Sequence, residues 1–517
     1  MAIFSRGYLL SLSLSLLLLF DVSLAQFGEQ GRSPFGSQRR FGSQSRCRIE
    51  RLNAQEPRRR VESEAGLTEY FDEDNEQFEC AGVAAHRRIV QPGGLVLPKF
   101  YNAHALTYVV QGKGIFGNVM PGCPESFQSF QRGDPRTSRE EGRRGRSERD
   151  QHQRVDHFRE GDIIAIPAGV AHWVYNDGEQ PIVAFTVLDT SNNANQLDSN
   201  RREFLLAGRK GRGQHLGVEP REDSDDFNLL SGFDTESLAE SMGISRDLAE
   251  KLRGRSDDRG EIVRVEGSFH IVRPSRREEG MSEGEERERE YEEEERERER
   301  RRLMANGLEQ AFCSVGVKRN IDDPRRADIY NPNAGRTTTL NSQKLPLLSA
   351  DIYNPNAGRT TTLNSQKLPL LRYLQLNAVR GVLHRNAFVA PHWNMNAHSI
   401  MYVTRGNARL QIVNDRGNTA FNGELRQNQL IVVPQNFALL IQSRSENFEW
   451  VAIKTNDNAM VSPIVGKTSV FKGLPEEVLR NAYRVSREEA RMLKYNRGEE
   501  MVVLAPHSSQ SRGRAEA

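Results

Sequence analysis

The side chains most apt for metal or thiol chemistry in this chain are eleven histidines and four cysteines. One histidine stands in an ordered setting. Gly161 to Asn176 reads GDIIAIPAGVAHWVYN, which places glycine, proline, glycine, His172 and asparagine at the spacing G-x5-P-x-G-x2-H-x3-N. A divalent first-row ion needs three or four nitrogen, oxygen or sulfur ligands, and His172 supplies one. His104, His392 and His398 have no second ligand at ligand spacing, so each reads as a core or surface imidazole. The cysteines are Cys47, Cys80, Cys123 and Cys313. No C-x-x-C pair occurs and the nearest two are 33 residues apart, which argues against a zinc knuckle or a thioredoxin-type site.

The redox state of those cysteines is set by the first 25 residues. MAIFSRGYLLSLSLSLLLLFDVSLA carries Arg6, an apolar stretch from Tyr8 to Phe20, and small Ser23 and Ala25 before Gln26. This is the pattern of a secretory signal peptide cut between Ala25 and Gln26. The apolar stretch is shorter than the roughly 20 residues that span a bilayer, and no later stretch is as apolar, so no membrane partner is expected. In the secretory route four cysteines are read as structural disulfides, with three pairings open.

The chain has 517 residues with 72 basic and 70 acidic side chains, net +2. That balance argues against a surface built to grip nucleic acid. It hides an asymmetry: from Gly307 onward there are 27 basic and 17 acidic residues, net +10, leaving 45 and 53, net -8, before it. Arginine supplies 61 of the positive charges and lysine 11, so the composition is rich in nitrogen.

The elements that would position these residues are mostly short strands. Ile163 to Tyr175, Pro181 to Leu188, Leu430 to Gln442 and Phe448 to Lys454 are β-branched and aromatic runs punctuated by Gly, Pro and Asn, which predicts antiparallel β-structure. Asn422-Gly423 reads as a hairpin turn. Thr235 to Arg253 and Pro475 to Tyr495 carry helical periodicity, acidic first turns and Ser or Thr starts. Strands followed by helices therefore occur twice. Residues 26–46, 131–154 and 271–306 are polar, the last being Glu/Arg repeats without an apolar stripe, and are expected to stay solvated.

Two internal repeats appear. Ala103 to Val109 (AHALTYV) aligns with Ala397 to Val403 (AHSIMYV), which predicts two homologous barrels. Ala327 to Leu348 recurs unchanged as Ala350 to Leu371, with Ser349 between. The second copy runs directly into RYLQLNAVRG and is expected to hold the packed position.

The Gly161 to Asn176 spacing resembles the second motif of the cupin family, a small double-sheet β-barrel. In cupin enzymes a first motif, G-x5-H-x-H-x3,4-E-x6-G, supplies two His and a Glu that hold a metal with the His of the second. Aligned from Gly94, those positions are Phe100, Asn102 and Thr107, and only His172 survives. In the second repeat they are Asn394, Asn396 and Met401, with Leu439 in place of the last His. The resemblance thus implies barrels with no metal and no cofactor.

Further residues resemble one cupin branch, the 11S globulins or legumins of seeds: SEAGLTEY (Ser63 to Tyr70), FREGDIIAIPAG and FEWVAIKTND. Asn306-Gly307-Leu308-Glu309 ahead of Cys313 resembles their processing site, where an asparaginyl endopeptidase cuts after Asn306; Gln310 replaces the usual second Glu. The resemblance covers about residues 45–130, 155–270 and 305–505. It implies disulfides Cys47 to Cys80 and Cys123 to Cys313, the second joining an acidic to a basic chain. It also implies trimers before the cut, hexamers after it, and passage through the endoplasmic reticulum to the protein storage vacuole. The fold expected is mainly β: two cupin barrels, each followed by a small helical segment. The organisation expected is a signal 1–25, an arm 26–46, a first barrel domain 47–270, a linker 271–306, a segment 307–372, a second barrel domain 373–505 and a tail 506–517. The expected role is a nitrogen reserve that needs no active site. A secreted metal-dependent enzyme of the oxalate oxidase or dioxygenase type is the alternative, and a sugar-binding or defence protein a weaker third.

Overall fold

The computed structural model describes residues 47, 49–123, 127–128, 151–153, 155–211, 213–215, 227–267, 269, 271, 313, 315–322, 352–354, 357–365, 367–497 and 502–504. Ala25, Gln26, the arm 26–46, Asn306, Gly307, the first copy of the duplicated segment, the tail 506–517 and most of 131–154 and 271–306 lie outside the described residues.

Alternation of apolar and polar residues builds the strands. In Asn407–Val413 (NARLQIV), Ala408, Leu410 and Ile412 are buried while the residues between them are half-buried, the period of a strand with one face in a core. Asp162–Ile166 (DIIAI) is buried at all five positions. Its Ile164 and Ile166 line a barrel interior, and Ile163 and Ala165 belong to a core shared with the other barrel.

The described strands form two pairs of sheets with antiparallel pairing, besides a two-stranded sheet of Phe127–Gln128 and Gln151–His152. In the first pair, an eight-stranded sheet runs in the order Gly213–His215, Arg59–Ser63, Gly66–Tyr70, Val83–Val90, Ile182–Asp189, His104–Gln111, Asp162–Ile166, Lys318–Asn320. Its partner runs Glu203–Leu205, Gly94–Tyr101, Ala171–Tyr175, Lys113–Val119, Val155–Arg159, with Ile262–Arg264 added on Gly94–Tyr101. In the second pair, Ile352–Asn354, Gly358–Leu363, Asn377–His384, Asn447–Lys454, Ser399–Arg405 and Leu430–Val433 form one sheet. Thr419–Arg426, Asn407–Val413, Ala438–Ser443, Phe388–Asn394 and Val461–Pro463 form the other, with Val503–Leu504 on Phe388–Asn394. Two jelly-roll barrels result, as the repeat AHALTYV/AHSIMYV predicts. They meet through Leu106, Tyr108 and Val187 on one side and Ile400, Val432 and Val451 on the other. Phe185 stacks on Tyr402 across the junction, with centroids 4.3 Å apart.

Two sequence expectations are corrected. Asn422-Gly423 is no turn: both residues sit inside Thr419–Arg426, paired with Gln411 and Leu410. The chain reverses at 414–418, where the Asn414 side chain accepts from the amides of Arg416 and Asn418, and Gly417 has φ 74°. Each long helical stretch is also two helices. Thr235–Met242 ends at Gly243 in the left-handed region before Ser245 caps Arg246–Arg253, and Glu476–Tyr483 ends at left-handed Arg484 before a Ser486/Glu489 capping box starts Arg487–Tyr495. No helix among the described residues is long and apolar enough to cross a membrane.

The second copy of the duplicated segment is packed. Its Gly358–Leu363 strand pairs with Asn377–His384, and its last residues open the helix Leu370–Leu374. Leu363, Leu368, Leu370 and Leu371 are buried. Disulfides join Cys47 to Cys80 and Cys123 to Cys313.

Candidate functional site: the interiors of the two barrels

The motif around His172 is held together by its other residues. Gly161 and Gly169 have φ of 82° and 76°, which glycine adopts freely; in the second barrel the same two turns use Asn428 and Asn436, at 68° and 66°. Asn176 is fully buried and closes the next turn, donating to the carbonyls of Val90 and Gln180 and accepting from the Gly178 amide, each at 2.9 Å. These residues build the barrel wall, so the motif's persistence reports geometry and not chemistry.

In the first barrel the structure brings His172 and Thr107 together and leaves Phe100 and Asn102 out. Phe100 faces outward and stacks on Phe204 with centroids 4.9 Å apart. Asn102 lies in the turn beyond the strand, donating to Asn195 and the Asn200 carbonyl and accepting from the Arg202 amide. The inward residues at the end of Gly94–Tyr101 are Lys99 and Tyr101, with Val96 lining the same interior earlier in the strand. A register shift between Lys99 and Val96, opposite His172 and Val174, re-phases the strand, and one residue of slip exchanges faces. Counted from Gly93 instead of Gly94, the first-motif spacing lands on Lys99 and Tyr101, which is the signal that sequence reading passed over.

Around them lies a buried charge network. Lys99 Nζ donates to Glu261 Oε2 at 2.5 Å and Glu203 Oε2 at 3.0 Å. Arg88 stands 3.5 Å from Glu261 and 3.7 Å from Glu203 and donates to Thr68 at 3.2 Å, and Thr68 donates to Glu261. Arg88, Tyr101, Thr107 and His172 line a cavity of about 40 Å³. Thr107 is hydrogen-bonded to Thr186 at 2.9 Å. The His172 ring lies 4.9 Å from Tyr101, with Nδ1 3.3 Å from the Val170 carbonyl. Burial pushes the Glu261 carboxyl up, but Lys99 and Arg88 outweigh it and hold it down at about 2. Burial, aided by Lys99 and Arg88, lowers His172 to about 3, so the imidazole is neutral. His86, fully buried, has no hydrogen-bond partner among the described residues at either ring nitrogen. Glu203 and Glu261 were invisible to motif reading because they lie 104 and 162 residues beyond Lys99.

A metal of the kind that cupin enzymes hold does not fit this donor set. An ammonium and a guanidinium already stand beside the imidazoles of His172 and His86, and both carboxylates are engaged in neutralising them. Among the described residues no group of three or more His, Cys, Asp and Glu is placed to hold a metal ion.

In the second barrel, Asn394 faces inward and accepts from Lys454 Nζ at 2.8 Å. Met401 and Leu439 are buried core residues, and Asn396 braces the turn by donating to the Asn458 carbonyl and accepting from the Met460 amide. His392 is buried with Nδ1 2.7 Å from the Ala390 carbonyl, and burial lowers it to about 4. His104 Nδ1 accepts from the Ala168 amide, and burial lowers it to about 4 also. His398 Nδ1 accepts from the Gln435 amide at 3.3 Å.

The cupin family profile matches residues 52–211 and 347–491. Cocosin 1 of Cocos nucifera is 54% identical over 511 residues, covering 98% of this chain and 99% of its own. The chain belongs to the 11S globulin family of cupin seed storage proteins. An 11S globulin of Juglans nigra is 45% identical, with 99% of each chain covered. Among solved structures, that of the coconut allergen cocosin matches with a TM-score of 0.71 and 49% identity, covering 89% of this chain and 100% of that one.

Proposed function

We propose that this 11S globulin is a nitrogen and amino-acid reserve without enzymatic activity, deposited in the protein storage vacuole of seeds through the endoplasmic reticulum. The observation that carries this reading is the first barrel's former metal position. Lys99, Tyr101 and Thr107 stand where ligands would, in a chain whose 61 arginines carry much of its nitrogen. Asparaginyl endopeptidase cuts between Asn306 and Gly307, and Cys123–Cys313 spans the cut. The partners are further copies of the chain, three before the cut and six after it, with neither nucleic acid nor membrane involved. The polar stretches 131–154 and 271–306 are the places where proteases enter.

Electrophoresis of the purified protein with and without reductant, followed by N-terminal sequencing of the smaller band, tests this. One species that splits on reduction, with a small chain beginning at Gly307, is the expected outcome. An uncut chain under both conditions overturns the processing step. Stoichiometric manganese, iron or zinc in the same preparation overturns the reserve reading in favour of a metal-dependent enzyme.

A further inference from the structure

The two barrels are in register strand for strand, so equivalent positions can be read from their pairings. Leu188 lies between Ala84 and Ala105 in the first barrel. Lys454 lies between Asn377 and Ser399 in the second. Ala105 and Ser399 correspond through the AHALTYV/AHSIMYV repeat, so Lys454 stands where the first barrel has Leu188, and Asn377 where it has Ala84. Leu188 and Ala84 are buried and apolar. The fold therefore closes at this place without polar groups, and the second barrel has introduced two.

Neither is compensated. Lys454 is 7% exposed, and its ammonium makes one hydrogen bond, to the neutral Asn394 carboxamide at 2.8 Å. Two of its three N–H groups remain. Among the described residues no carboxylate pairs with it, whereas Lys99 in the first barrel has both Glu203 and Glu261. Burial pulls Lys454 down to about 8, so it is still cationic at neutral pH. Asn377, fully buried and directly across the strand pair from Lys454, has no hydrogen-bond partner among the described residues at Nδ2 or at Oδ1. Directly opposed residues on one face bring their Cβ atoms within about 5 Å. A buried cation and an unpaired amide donor at directly opposed positions are each costly alone, and one small anion between them would accept from both.

We propose that the second barrel binds a small monovalent anion, of the charge and size of chloride, between the Lys454 ammonium and the Asn377 Nδ2 group. The burial of Lys454, Asn377 and Asn394 excludes bulky carboxylates. Phosphate, larger and divided between singly and doubly charged forms at neutral pH, is a poorer match to one ammonium.

Thermal unfolding of the full-length protein at pH 7, with sodium chloride replacing sodium gluconate at constant ionic strength, reads the site. The wild type is expected to gain ~2–4 °C, saturating with chloride, and Lys454→Met to show no chloride-specific gain. Bromide-soaked crystals of the wild type are expected to show an anomalous peak at Lys454 Nζ, a readout that needs no variant to fold. Equal behaviour in chloride and gluconate, the same chloride gain in Lys454→Met, or a bromide map without a peak at Nζ overturns the proposal.

Discussion

Lys99 places a single positive charge between two buried carboxylates. Its ammonium neutralises Glu203 and Glu261, both inside the barrel wall. Lys99→Met leaves Glu261 facing Arg88 and Glu203 facing Arg88 and Arg201, and breaking a buried pair in this way costs about 3–5 kcal/mol. Denaturant titration is expected to show that loss, with part of it restored in the double variant Lys99→Met/Glu261→Gln. Acid acts on the same network through Glu203, Glu261, His86 and His172, all held below their ordinary values. Glu261 is depressed from its ordinary value to about 2, so its stabilisation is complete above about pH 4.5 and is lost as pH falls toward 2. His172 is depressed from 6.5 to about 3. The unfolded chain therefore takes up that proton first, and stability falls as pH drops below 6.5, by up to about 1.4 kcal/mol per pH unit. His172→Leu removes this slope, and leucine fits because Leu439 fills the same place in the second barrel. Acid titration monitored by tryptophan fluorescence is expected to show the variant unfolding at lower pH than the wild type; an unchanged midpoint excludes His172 as an acid-sensitive group.

At the scale of elements, the duplicated segment presents two identical sequences, and the second is packed. Leu371 is fully buried, and the helix Leu370–Leu374 runs on into Leu374, also fully buried. In the first copy Leu348 is followed by Ser349, Ala350 and Asp351, so the same helix would lack its last apolar anchor. Leu371→Ala is accordingly expected to cost about 2–5 kcal/mol and Leu348→Ala less than about 0.5 kcal/mol, measured by denaturant unfolding. Equal costs would mean that both copies pack. Deleting 327–349 or 349–371 yields the same polypeptide, so only point substitutions separate the copies. The strand pattern and the barrel repeat were legible because burial imposes a period of two on residues such as Ala408, Leu410 and Ile412. Phe100 was misplaced because the register shift beyond Val96 is a backbone event that no side-chain pattern announces. Asn422-Gly423 misled because its local turn preference yields to the ladder with Leu410 and Gln411, and the Lys99 network stayed hidden because its carboxylates come from distant strands.

At the scale of the whole molecule, the segment after Gly307 does more than trail the first barrel. Lys318–Asn320 is a strand of the first barrel's sheet, paired with Asp162–Ile166, and Arg319 Nη1 donates to the Lys367 carbonyl at 2.6 Å. Tyr108 donates to Asp322 at 2.9 Å, and Asp322 is paired with Arg380 at 2.9 Å, so residues on both sides of Asn306 form one chain of contacts. Beneath it, Leu106, Phe185 and Val187 share a core with Val317, Tyr402 and Ile453. Burial on this scale, at roughly 25 cal/mol per Å² of apolar surface, holds the two halves together without a covalent link. The Cys123–Cys313 bond then acts mainly on the unfolded state, where a crosslink is worth about 2–4 kcal/mol. Protein cut at Asn306 and fully reduced is therefore expected to elute unchanged in size-exclusion chromatography under native conditions and to separate into two chains only in denaturant. It is also expected to unfold at a lower denaturant concentration than its oxidised form. Dissociation on reduction alone would show instead that the disulfide, and not the barrel junction, keeps the acidic and basic chains together.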